Sequence, residues 1–322
     1  MTDQARRGAK VCDNAATHHP TDTMNALRLL PLSLLALSLA ACVPTQTRPS
    51  APPLAAAPAE PAGPAANDNL NAVAWVQTSV EYRLIAGQTY RLALGQLDRA
   101  LKTPTWDALV PEERDTPIKN LPPAVIVDVD ETVLDNSPYQ ARLVRDGKPY
   151  NEFTWSEWVK EEAARPVPGA LEFARAAAAR GVTIFYVSNR VQDLSPATLS
   201  NLRKAGFPIK DESQFLGLGT VIEGCEDNGS EKGCRRRLVG RTHRVLLQFG
   251  DQLGDMVSVL ANTPDGREQA IRPYLGWVGE RCGMPGRAAW GRLAAGMRCG
   301  VAAGASSKGP VPGRCPAGAA VV

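Results

Sequence analysis

The chain has 322 residues, of which 44% are hydrophobic and 21% charged, too apolar for a wholly disordered polypeptide and sufficient to bury a sizeable core. Lys and Arg number 36 against 33 Asp and Glu, and a net charge of +3 does not by itself indicate a nucleic-acid partner. No apolar run reaches the ~18 residues of a membrane-spanning helix, and the length suggests one or two domains.

Residues 1–23 are polar and show no apolar periodicity. Met24 opens a segment with one positive charge, Arg28, and an apolar stretch from Leu29 to Ala41 then stops at Cys42. A charged start, a short hydrophobic region and small residues before the break are the parts of an export signal. Leu39-Ala40-Ala41-Cys42 resembles a bacterial lipobox, whose cysteine is lipidated and becomes the mature N-terminus. A buried helix with an incidental cysteine is the plainer alternative. On the lipobox reading, residues 1–41 are an over-long start plus a lipoprotein signal peptide, and Met24 is the true start. Residues 42–67 are Pro/Ala-rich and predict an extended, lipid-anchored linker, because proline supports neither helix nor ladder. Val43 stands where an inner-membrane retention signal would place Asp, so analogy with bacterial sorting favours an outer-membrane lipoprotein of the cell envelope. Export permits disulfides, and Cys225 and Cys234 are a candidate pair; two unrelated thiols are the alternative. No His accompanies them at metal-ligand spacing.

Residues 70–102 place Val73, Val76, Val80, Leu84, Tyr90, Leu94, Leu97 and Leu101 near helical spacing and predict one long helix, stopped by Pro104. Three continuous apolar runs follow, at residues 124–127, 182–187 and 244–249, as expected of strands buried on both faces in a parallel sheet. Residues 169–180 and 195–205 read as helices, the second starting on a Ser195 cap and ending at Gly206. The alternation implies an open α/β sheet. The first strand runs into Asp128-Val129-Asp130-Glu131-Thr132, the second into Ser188-Asn189-Arg190, and the third into Gly250-Asp251-Gln252-Leu253-Gly254-Asp255. Open parallel sheets bind ligands at such strand ends. A helix cap accounts for one such Asp, but poorly for four in two clusters. Crowded carboxylates raise one another's pKa unless a cation intervenes, and hard oxygen donors suit Mg²⁺.

This ordered set resembles the haloacid dehalogenase (HAD) superfamily: Asp-x-Asp-x-Thr, then Ser, then a lone Lys, then Gly-Asp-x-x-x-Asp. The string Asp128-Val129-Asp130-Glu131-Thr132-Val133-Leu134-Asp135-Asn136-Ser137-Pro138-Tyr139 is similar to class C acid phosphatases, the outer-membrane lipoprotein phosphatases and 5′-nucleotidases. Trp75-Val76-Gln77-Thr78-Ser79-Val80-Glu81, Trp155, Trp158, Val167-Pro168-Gly169-Ala170 and Tyr186-Val187-Ser188-Asn189-Arg190 extend the match over about residues 75–277. The resemblance implies a Rossmannoid open parallel sheet with helices on both faces and a small helical cap, over residues 68–280. It also implies Mg²⁺-dependent hydrolysis of phosphomonoesters through a phosphoaspartate, with nucleoside monophosphates among the candidate substrates.

In the roles so implied, Asp128 is the nucleophile and Asp130 the general acid and base. Mg²⁺ is held by the Asp128 carboxylate, the Asp130 backbone carbonyl and Asp251, while Asp255 orients a metal water or the lysine. Ser188 and Asn189 donate to phosphate oxygens. Lys232 supplies the cation; Lys204 and Lys210 are alternatives that come early for the family order. Trp155 matches a position that stacks on a substrate base, with core packing an equal alternative, and Trp158 reads as packing. Arg235-Arg236-Arg237 reads as a solvated helix face rather than a second phosphate clamp.

Residues 281–322 form an atypical Gly/Ala/Arg-rich tail without the family's closing segment and its second aromatic. An out-of-frame gene end and a genuine tail are the two explanations. The expected partners are a small-molecule phosphomonoester and, through Cys42, a membrane, with no nucleic-acid polymer; the sequence does not indicate an oligomeric state. The competing function is a non-catalytic surface-binding lipoprotein that keeps the scaffold, against which the complete set of site residues argues. A dehalogenase is the weaker enzyme alternative, because Asp130 is the acid that a phosphatase needs for its leaving alkoxide.

Overall fold

The computed structural model describes residues 67–225 and 229–286. Its first segment is two helices rather than the single one expected, α1 (Leu70–Thr78) and α2 (Val80–Lys102), which meet at Ser79. Ser79 takes an extended ψ of 130°, and its hydroxyl accepts a hydrogen bond from the Tyr82 amide at 3.1 Å. That bond caps a new helix start, a break that an uninterrupted apolar stripe hides.

The chain continues through β1 (Pro123–Val127), β2 (Leu134–Asp135), α3 (Ser137–Asp146), α4 (Glu152–Glu161) and β3 (Arg165–Pro166). It then forms α5 (Ala170–Ala179), β4 (Thr183–Val191), α6 (Ser195–Ala205), β5 (Phe215–Leu218) and α7 (Gly233–Thr242). The last elements are β6 (Arg244–Phe249), α8 (Pro264–Ile271) and β7 (Cys282–Gly283). Five strands make one sheet in the order β5-β4-β1-β6-β7, and every neighbouring pair is parallel. The β1 strand is therefore central, with β4 and β6 on either side. The short β2 and β3 pair antiparallel outside this sheet and, with α3 and α4, build the small cap inserted after β1.

Alternate residues of the central strands serve two cores, as the period of two requires. Val125, Val127, Ile184, Tyr186 and Phe249 pack with Tyr90, Leu97 and Phe173 from α2 and α5. Ala124, Ile126, Phe185 and Val187 pack with Val239 of α7. Both faces are covered, which explains the continuous apolar runs. Gly169, the cap of α5, lies against Gly87 and Tyr90 of α2 and has a φ of +86°. A Cβ built there would lie 3.0 Å from the Gly87 Cα, so neither the backbone angle nor the space suits another residue.

Three further expectations need correction. Strand β4 runs on through Ser188, Asn189 and Arg190 to Val191 instead of ending before them. Ser195 is already helical; its hydroxyl donates to Gln192 Oε1 at 2.9 Å, and Leu194 occupies the cap position. Gly206 does close α6, with φ +92°. Beyond residue 280, Cys282 and Gly283 join the sheet against Gln248 and Phe249, a strand too short to leave any periodicity in the sequence.

Cys225 and Cys234 form a disulfide across nine positions, tying the loop before α7 to its first turn. Closing a loop of this size restricts the unfolded chain by roughly 2–3 kcal/mol. The Cys225→Ser/Cys234→Ser protein is expected to lose about that much in urea denaturation, and an unchanged midpoint would remove the bridge from the stability account. No helix among the described residues is long and apolar enough to cross a membrane. Cys42 and most of the expected linker lie outside the described residues.

Candidate active site

The sheet order brings the ends of β4, β1 and β6 side by side, and with them the three polar clusters. Asp128 follows directly on β1, and its amide still donates to Phe249 O at 2.9 Å, so the ladder itself anchors the first carboxylate. The chain then turns sharply: Glu131 has φ +58°, a left-handed angle uncommon outside glycine. Thr132 returns its hydroxyl to Asp128 Oδ2 at 3.0 Å, and the Tyr90 hydroxyl on α2 holds the Thr132 carbonyl at 2.6 Å. Thr132 thus has a definite task, orienting Asp128.

Lys232 lies buried at the entrance to α7, ion-paired with Asp128 and, at 2.7 Å, with Asp255. Lys204 instead pairs with Glu162, and Lys210 is exposed. Asp255 is held at both oxygens, since Oδ2 accepts from the Gln252 amide at 2.8 Å. Gly250 makes room for it: a Cβ there would come within 2.1 Å of the Asp255 Cβ. Carboxylate oxygens of Asp128, Asp251 and Asp255 lie within 4.8 Å of one another, all three residues being buried. Burial drives the Asp128 carboxyl above its usual range; Lys232 opposes this, while Asp255 and Asp130 add repulsion. Burial would lower the Lys232 ammonium, but Asp128 and Asp255 outweigh it and keep its pKa above the usual value. One ammonium among three crowded carboxylates leaves an excess of negative charge, and this all-oxygen donor set fits a hard divalent cation.

The Asp130 side chain stands apart from that triangle. Arg190 on β4 donates to its Oδ1 at 2.7 and 3.0 Å, and Asn136 Nδ2 donates to the same oxygen at 2.8 Å. Asn136 is fixed in turn by Trp158 Nε1 at 2.8 Å. A network of this kind holds one carboxylate rotamer against rotation. Trp158 packs in the core as expected, with this added bond. Trp155 is half-buried, edge-on to Tyr139 at 5.3 Å and 5.5 Å from the Arg190 guanidinium. Packing and substrate contact are both compatible with that position.

Ser188 is fully buried and Asn189 exposed, adjacent on β4. The basic run behind them is not a solvated face, contrary to expectation: Arg235 is 3% exposed and Arg236 is fully buried. Arg236 pairs with buried Glu113, its Nε donating to Oε2 at 2.8 Å, and donates to Gly254 O at 2.8 Å. Arg235 donates to the Ser188 carbonyl and, at 2.7 Å, to Asn189 Oδ1. Burial lowers its guanidinium to about 10, still charged at neutral pH. Sequence reasoning gave no role to Arg190, Asn136, Glu113, Arg235 or Arg236. For Arg190 and Asn136 the signal was present, since both lie inside the quoted motif strings.

Residues 65–273 match the family model described as HAD superfamily, subfamily IIIB (acid phosphatase). The class C acid phosphatase of Bacillus anthracis is a structural relative, with TM-score 0.57 and 32% identity over 66% of this chain and 81% of that one. A second structure of the Bacillus anthracis enzyme, with tungstate bound, superposes at TM-score 0.56 with the same identity and coverage. Among curated proteins, a stem 31 kDa glycoprotein of Glycine max is 27% identical over 132 residues, 41% of this chain and 51% of its own length. Acid phosphatase 1 of Solanum lycopersicum is 26% identical over 132 residues, again 41% of this chain and 51% of its own length. The chain spans about half the length of the curated relatives it matches.

Proposed function

This chain belongs to the HAD superfamily IIIB acid phosphatases, and on that footing we propose that it hydrolyses phosphomonoesters through a phosphoaspartate on Asp128, with Mg²⁺ as cofactor. The observation that carries the reading is the pair Asp128 and Asp130 held in different environments. The first lies among carboxylates and Lys232, the second between Arg190 and Asn136.

In this mechanism the Asp128 carboxylate attacks phosphorus, and the bond between phosphorus and the ester oxygen breaks. Asp130 gives its proton to the departing alkoxide. A water then attacks the phosphoaspartate while Asp130 accepts a proton from that water, and the bond between phosphorus and Asp128 breaks to release inorganic phosphate and free Asp128. Lys232, Ser188 and Asn189 stabilise the phosphoryl oxygens, and Thr132 keeps Asp128 from turning away. The metal would be held by Asp128, Asp251 and the Asp130 carbonyl, with Asp255 behind Lys232, and would supply positive charge where carboxylate and phosphate meet. One of the Bacillus anthracis structures holds tungstate, a tetrahedral oxyanion, and the same shape of ligand is proposed for this site. Nucleoside monophosphates are the proposed substrate class, with Trp155 and its neighbour Tyr150 as the base-stacking surface. Placement in the outer membrane through a lipid on Cys42 is proposed from the N-terminal motif alone.

The test is hydrolysis of an aryl phosphate with Mg²⁺, after chelation, and after Mg²⁺ is restored. Turnover is expected to fall at least about a hundredfold on chelation and to return with the metal. Equal turnover with and without chelator would remove the metal from the proposal, and a folded protein without turnover would favour a binding role.

A further inference from the structure

Four cations are buried among the described residues: Arg190, Lys232, Arg235 and Arg236. Three have carboxylate partners, respectively Asp130, the Asp128–Asp255 pair and Glu113. Arg235 alone makes no ion pair. Its donors meet only neutral oxygens: the carbonyls of Ser188, Ser230 and Glu231, and Asn189 Oδ1. A buried guanidinium whose donors meet only neutral oxygens is costly, and Asp128 and Asp255 favour its charge only through space. Both residues it grips at the end of β4 are those assigned to phosphate binding.

The chemistry of the contact fixes an orientation. A guanidinium can only donate, so the Asn189 carboxamide must turn its oxygen to Arg235. Its NH₂ group is then directed away from Arg235, at the exposed carboxyl end of β4. Without the arginine, the amide could rotate and present an oxygen, which repels an anion.

We propose that Arg235 is a positioning residue for phosphate recognition, locking Asn189 as a donor at the carboxyl end of β4. The proposal rests on the phosphatase reading only in placing a phosphate at that pair.

Inorganic phosphate titrated calorimetrically into the full chain, in the presence of Mg²⁺, tests it. Arg235→Gln is expected to weaken phosphate binding about tenfold or more, as losing a charge-assisted contact does. Asn189→Ala is expected to weaken it as well. If Arg235 acts through Asn189, the double variant binds no more than about twofold weaker than the worse single one, because the two losses are one interaction. Arg235→Lys, which keeps the charge without the fork, should recover part of the affinity and carries the same cycle if Arg235→Gln does not fold. Unchanged affinity in a folded Arg235 variant overturns the proposal, and so do losses that multiply in the double variant. A wild-type protein that binds phosphate but hydrolyses nothing would sink the phosphatase reading alone, since the affinity comparison needs no turnover.

Discussion

Asp128→Asn is expected to lower kcat for an aryl phosphate by about 10⁴-fold or more while leaving the protein folded. An amide oxygen is a poor nucleophile, so the first covalent bond cannot form, and groups that act as a unit lose most of their effect together. The fold should survive because Asn keeps the shape of Asp. Its amide can still accept from Thr132, and Lys232 retains Asp255. Rapid quench of the wild type at acid pH, followed by peptide mass mapping, should locate the phosphoryl group on the peptide containing Asp128. Retention of more than a hundredth of the activity in Asp128→Asn, or label on another peptide, would exclude this residue as the nucleophile.

Glu113→Ala is expected to cost about 3–5 kcal/mol of stability, the range for breaking a buried ion pair and stranding one charge. Arg236 would keep its bond to Gly254 O but lose the carboxylate that neutralises it. Because that bond joins α7 to the Asp251–Asp255 loop, the loss should reach the site as well. Replacing both partners, as Glu113→Leu/Arg236→Met, removes the stranded charge and should regain much of the stability. Urea denaturation of the wild type and the two variants decides the matter. A cost under about 1 kcal/mol for Glu113→Ala would mean that water enters and solvates Arg236.

Local patterns were enough to read the central strands and the residues at their ends. Val125, Val127, Ile184 and Phe249 lie in runs with no polar break, and only a strand covered on both sides needs that. The order Asp128, Asp130, Ser188, Lys232, Asp251, Asp255 pointed to the family, since each position follows a recognisable strand or precedes the last one. What could not be read was burial within polar stretches. Three consecutive arginines look like a solvated face, because charge normally stays in water. Arg236 is buried only because Glu113, 123 positions earlier, is brought against it. Arg235 is buried because β4 offers it a carbonyl and a carboxamide. The break at Ser79 was missed for a related reason, since its cap is visible in ψ and one hydrogen bond while the apolar spacing continues.

The sequence by itself therefore determined which backbone segments must be covered and which polar side chains stand at the strand ends. These depend on residue type and short-range spacing. Only the tertiary structure decided which polar groups face each other: Arg190 on Asp130, Arg235 on Asn189, Arg236 on Glu113, and three aspartates around one point. The energy of a charge depends on its distance to other charges and to water, and both distances are set by parts of the chain far apart in sequence.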